Sequence, residues 1–178
     1  MDRIYVSLPK RKRVYPNGGD EIFWMNKIAD QLQRELLLSP IETIISPQEV
    51  GLPAVIRQSN ALGVSLHIAL RSAESEGMQK GACVFYYEHD DKGKKYAKLL
   101  ADCYREIYPE PSLVRTSAVT AWDELRKTRA ISLLVETAYH DNPQDEIWLT
   151  NSTAIIAKAL AKGIHQIFNA SKKQNLTE

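Results

Sequence analysis

The chain is expected to fold as an α/β domain: a twisted, mostly parallel sheet of about six strands with helices on both faces. Two observations support this. Short apolar, β-branched segments alternate with segments whose apolar residues recur at helical spacing, as they do where strands are joined by crossover helices. The punctuation also fits, because Gly and Pro stand between these segments rather than inside them.

"RIYVSL" (3–8) is the first strand, closed by Pro9, and a polar loop with Pro16, Gly18 and Gly19 follows it. Asp20 is placed to cap a helix whose stripe is Ile22, Met25, Ile28, Ala29, Leu32 and Leu36. "ETIIS" (42–46) is a short second strand, and 52–62 a helix stopped by Gly63. "VSLHIALRS" (64–72) and "ACVFYYE" (82–88) are strands separated by a polar loop. A periodic helix over 91–108 ends at Pro109 and Pro111, a short helix spans 121–128, and "AISLLVE" (130–136) is the last strand expected. Asn142-Pro143 opens a further short helix. The closing helix carries Ile155, Ile156, Ala159, Leu160, Ile164 and Ile167. With no repeat, linker or low-complexity tract, residues 1–170 form one domain, and 171–178 are expected to fray.

Composition excludes several roles. The chain has 178 residues with 44% hydrophobic and 25% charged, and Lys+Arg 23 against Asp+Glu 22 leaves a net charge of +1. No global field therefore favours nucleic acid or an anionic membrane. The run Lys10-Arg11-Lys12-Arg13 is the local exception, either a solvated loop or a contact for an anionic ligand. Cys83 and Cys103 form no CxxC pair and are expected to be buried thiols. "MDRIYVSL" enters a strand without an apolar leader, so synthesis in the cytoplasm without a signal peptide is expected. No apolar run approaches the roughly 18 residues needed to span a bilayer.

Open α/β sheets place ligands beyond the carboxyl ends of their strands. Glu136 ends one strand, Arg71 and Ser72 end another, Ser7 and Leu8 end the first, and Glu21 opens the helix after it. His67 shares a strand face with Ser65 and Ala69. Each has a structural alternative: a hydrogen-bonded core histidine, a glutamate paired with Arg71 or Arg129, a first-turn acid suited to the helix dipole. Taken together, His67, Glu21 and Glu136 are candidates for metal-assisted hydrolysis.

The segments "GGDEIFWMNKIADQL", "SNALGVSLHIALRS", "ELRKTRAISLLVETAYHDN" and "IIAKALAKGI" resemble, in order and over nearly the whole chain, the zinc-dependent N-acetylmuramoyl-L-alanine amidases. The resemblance is to the single-domain catalytic modules of clostridial, phage or sporulation lysins. It implies a peptidoglycan hydrolase that cleaves the amide between the lactyl group of N-acetylmuramic acid and L-alanine. In that reading Glu21 and His67 bind zinc, a zinc-bound water is the nucleophile and Glu136 is the general base. Arg71, His140 and Asn142 face the substrate, a peptidoglycan or muropeptide. Such a protein acts on the cell wall after release from the cytoplasm. The family's further zinc histidine, just after the first strand, has no counterpart in "SLPKRKRVYPNGGDE". Arg71 brings a cation to the same rim, and a cation beside a divalent ion lowers its affinity by repulsion. The resemblance thus leaves a second reading, an inactive homologue that binds muropeptide or a protein partner through the same cleft.

Overall fold

The computed structural model describes residues 2–175, and its six strands form one sheet in the order β2-β1-β3-β6-β4-β5. The elements are β1 (Asp2–Ser7), α1 (Glu21–Leu36), β2 (Ile41–Ile45), α2 (Leu52–Leu62), β3 (Leu66–Ala73), β4 (Ala82–Tyr87) and α3 (Asp91–Arg105). A 3-10 turn leads into β5 (Val114–Val119), followed by α4 (Asp123–Lys127), β6 (Ile131–Tyr139), α5 (Pro143–Asn151) and α6 (Thr153–Asn175). Every pairing is parallel except β4 with β6. The expected fold class is observed.

Local chemistry sets the element ends where the sequence placed them. Asp20 caps α1, its side chain accepting from Phe23 N, and Gly63 ends α2 with a φ of 59°, a left-handed turn that glycine adopts without a Cβ clash. Asn142 caps α5, accepting from the backbone N–H groups of Gln144 and Asp145. Two features depart from expectation. β5, "VRTSAV", lies in a stretch to which the sequence assigns no element; it is a largely exposed edge strand with little apolar pattern, bonded to β4 alone. At the other end, α6 continues through Asn175, inside the segment expected to fray, while 176–178 lie outside the described residues.

The two faces of the sheet differ. Ile4, Val6, Leu66, Ile68, Leu70, Leu133 and Val135 point into the main core, where they meet Met25, Ile28 and Leu32 of α1, Leu100 and Tyr104 of α3, and Leu160 and Ile164 of α6. Burying such side chains contributes roughly 1.5–3 kcal/mol each, so this face carries the stability. The opposite face, under α2 and α4, has two small apolar clusters, Tyr5–Val55–Val64 and Ala69–Leu125–Leu134. Strand alternation puts Ser7, His67, Arg71, Ser132 and Glu136 on this thinner face. Among the described residues, no helix is long and apolar enough to cross a membrane.

Candidate active site

The register between β3 and β6 sets Arg71 directly beside Glu136 at the carboxyl ends of the parallel strands. There a cleft of about 340 Å³ opens, lined by Lys10, Arg11 and Arg13 from the β1–α1 loop, and by Arg71, Glu21 and Glu136. Its apolar wall includes Leu52, Leu134 and Trp122. The β1–α1 loop is anchored across the domain. Asn17 donates from its backbone N and its Nδ2 to the two oxygens of the buried Glu146 carboxylate, both at 2.6 Å.

Glu21 is buried at the first turn of α1, and its carboxylate accepts from Ser72 N at 2.7 Å. Arg13 Nε lies 3.9 Å from its other oxygen. Glu136 is half-buried at the cleft. Burial pushes its carboxyl above the ordinary range; the Arg13 guanidinium opposes that, and the Glu21 charge reinforces it.

Arg71 is held tightly. Its Nη1 donates to the Ser7 carbonyl at 2.9 Å and the Leu70 carbonyl at 2.8 Å, and its Nη2 donates to Glu124 at 2.8 Å and Ser7 Oγ at 3.3 Å. Lys10 is tied to the end of β2, reaching Ser46 Oγ at 3.2 Å. The Arg11 side chain has no hydrogen-bond or ion-pair partner among the described residues; the Arg13 carbonyl accepts from Glu21 N at 2.8 Å, but its guanidinium has only a loose contact with the Glu21 carboxylate.

His67 does not reach the cleft. It is fully buried and stacked on Tyr5 with ring centroids 5.4 Å apart, and both of its nitrogens are engaged. Nε2 lies 3.1 Å from Glu124 and Nδ1 lies 2.9 Å from Ser59 Oγ, an arrangement met by a ring that donates to the carboxylate and accepts from the hydroxyl. Glu124, at the start of α4, is the residue missed by sequence reasoning. It bridges His67 to Arg71 beneath the cleft. Burial opposes its ionisation, but the His67 hydrogen bond and the Arg71 charge outweigh burial and pull its carboxyl down to about 2. The available sign was a glutamate beside Leu125 in a short helix that has to cover an apolar strand.

The expectation that Glu21 and His67 share a metal is corrected by this geometry. The Glu21 carboxylate sits on the amide of Ser72, and five residues of extended strand place His67 about 16 Å away along β3. Metal–ligand bonds of about 2 Å cannot span that gap. The other two side chains expected to face substrate also serve structure. His140 is buried, stacked on Tyr15 with centroids 4.8 Å apart, and its Nδ1 lies 2.9 Å from Ser72 Oγ. It therefore steadies the strand end that holds Glu21. Asn142 is the α5 cap. Arg71 and Glu136 do line the cleft, together with Glu21.

A family profile described as N-acetylmuramoyl-L-alanine amidase matches residues 14–166. The chain belongs to this amidase family. Its fold is that of solved amidases. The amidase AmiC2 of Nostoc punctiforme superposes with a TM-score of 0.85 at 17% identity, covering 94% of this chain and 97% of that one. The CwlD amidase of Clostridioides difficile, solved in complex with the GerS lipoprotein, gives 0.83 at 13% identity over 96% and 100%. The catalytic domain of the CD27L endolysin targeting Clostridia difficile gives 0.77 at 20% identity over 93% and 98%. Comparison with curated proteins gave no match.

Amidases of this family generally use zinc, and the donor set of this chain does not fit it. Among the described residues no group of three His, Cys, Asp or Glu side chains is placed to hold a metal. The cleft adds four cationic side chains to its two carboxylates, and their charge repels a divalent ion.

Proposed function

We propose that the chain works on peptidoglycan, at the amide between the lactyl group of N-acetylmuramic acid and L-alanine, with Glu136 as the group that moves a proton. The single observation that carries this is the position of Glu136. In a chain of this amidase family, it is a half-buried carboxyl at the cleft, paired in register with Arg71 three residues before the end of β6, with its acidity weakened by burial. A carboxyl shifted upward is better matched to proton exchange near neutral pH than an ordinary glutamate. Arg71 supports it as a fixed positive charge in the next strand, its guanidinium locked by Ser7, Leu70 and Glu124. No step is derived through zinc, because the residues present do not fit it.

A second reading is supported by a specific observation, the excess of cations over carboxylates in the cleft. The same surface then holds muropeptide without cutting it. In either case the protein meets its ligand at the cell wall after release from the cytoplasm, a setting in keeping with an endolysin domain of the same fold.

Purified peptidoglycan separates the two. New L-alanine amino groups are counted after incubation with zinc or with chelator, and protein sedimenting with the insoluble wall is measured in parallel. Release of amino groups that disappears in Glu136→Gln supports the hydrolytic reading. Sedimentation without release supports the holding one. Absence of both overturns the proposal.

A further inference from the structure

We infer that the cleft is a carboxylate-binding subsite in which arginines of the β1–α1 loop supply the positive charge and no metal is required. The inference rests on the peptidoglycan reading above and names the part of the ligand recognised there: a free side-chain or terminal carboxylate of the stem peptide.

Four observations converge. Lys10, Arg11, Arg13 and Arg71 line one cleft against Glu21 and Glu136, in a chain whose net charge is only +1. The excess is therefore local rather than part of a generally basic surface. The cations also divide by role. Arg71 and Lys10 are consumed by protein acceptors and fix the field of the cleft. The Arg11 side chain is unpartnered among the described residues, and the Arg13 guanidinium keeps only a 3.9 Å contact with the Glu21 carboxylate, so both forks remain available to an incoming anion. A guanidinium meets a carboxylate in a bidentate, charge-assisted pair.

The third observation is the cost of crowding like charges. Burial lowers the basicity of Lys10, and the Arg71 charge lowers it further. An anion seated between such cations relieves that repulsion. The fourth is shape. The cleft volume of about 340 Å³ falls within the range of small-molecule sites, and Leu52, Leu134 and the partly exposed Trp122 give it an apolar wall. An acidic dipeptide with a small apolar first residue matches that combination.

The experiment uses the full chain in buffer containing a chelator, with intrinsic tryptophan fluorescence and isothermal titration as readouts. The probes are N-acetylmuramoyl-L-alanyl-D-isoglutamine, which carries one free carboxylate, the same compound with that carboxylate amidated, and the sugar-free L-alanyl-D-isoglutamine. Inorganic phosphate at matched ionic strength tests for simple charge attraction.

The expected result is saturable binding of the acid form and about tenfold weaker binding of the amide, the loss of one charge-assisted hydrogen bond. Arg13→Gln and Arg11→Gln change exposed loop side chains, and their melting curves verify folding. Each is expected to weaken the acid form severalfold and to leave the amide unchanged. Equal affinity for acid and amide overturns the inference. So does binding that appears only when zinc replaces chelator, and so does displacement of the dipeptide by phosphate at equal concentration. If no dipeptide binds while intact peptidoglycan still sediments the protein, the inference falls and the peptidoglycan reading stands. If peptidoglycan is also ignored, both fall. Binding of the sugar-free dipeptide as tightly as the muramoyl form supports recognition of the peptide alone, and tighter binding of the muramoyl form supports recognition in the wall polymer.

Discussion

Replacing Glu124 with glutamine keeps its shape and removes the charge that joins His67 to Arg71. The folded carboxyl is held at about 2 against an ordinary 4.5. Each unit of that difference is worth about 1.4 kcal/mol, so ionisation of this one group stabilises the fold at neutral pH by about 3 kcal/mol. The sign follows from the depressed value. The contribution is complete above the unfolded midpoint near 4.5 and is lost as pH falls through the folded midpoint near 2. At pH 3 about 1.4 kcal/mol of it remains. Removing one partner of a buried pair leaves the other uncompensated, at a cost of about 3–5 kcal/mol, which agrees in size. For a chain of 178 residues this corresponds to a melting temperature lower by about 6–12 °C. Glu124→Gln should therefore melt well below the parent at pH 7, with a gap that narrows by more than half at pH 3. Thermal unfolding followed by circular dichroism at the two pH values measures this. A gap that is equal at both, or below about 1 kcal/mol at pH 7, would refute the buried-charge account.

Other expectations follow from the cleft and the sheet edge. Arg13 holds the Glu136 carboxyl down and Glu21 holds it up, so Arg13→Gln should raise its titration midpoint and Glu21→Gln should lower it. Carboxyl-carbon NMR reads both shifts without needing turnover. Because the folded Glu136 favours its protonated form, its ionisation costs stability above the folded midpoint and nothing below the unfolded one. Glu136→Gln should accordingly raise the melting temperature at pH 8 and leave it unchanged at pH 3, while abolishing any amide release from peptidoglycan. Gly81 has a φ of 119°, and a Cβ there would lie 2.5 Å from the Leu113 carbonyl oxygen. Gly81→Ala should lose about 2 kcal/mol in a denaturant titration, through backbone strain where β4 meets the turn before β5.

Most of the fold was legible because its signals are local. Asp20, Gly63 and Asn142 mark helix ends by chemistry that works within a few residues, and each stands at the boundary expected. β5 was illegible because an edge strand bonded on one side needs no apolar face, and the prolines before it read as loop. The site was legible in part for a similar reason. Glu21 opens α1, and Arg71 and Glu136 lie within three residues of the ends of β3 and β6, where topology brings them to one rim. His67 was not, because strand alternation gives its face but not its depth. Four residues further along β3, on the same face, Arg71 reaches the cleft, while His67 is closed beneath Glu124. That closure depends on Glu124 of α4, 57 positions along the chain from His67, and no local pattern reports it.

The claim that arginine and lysine rather than a metal supply the positive charge of this amidase cleft is tested most directly by titrating zinc into chelator-stripped protein in a calorimeter. The account predicts no one-to-one site tighter than about 100 µM, for want of a converging donor set. A stoichiometric site of micromolar affinity or better that disappears in Glu21→Gln would contradict it.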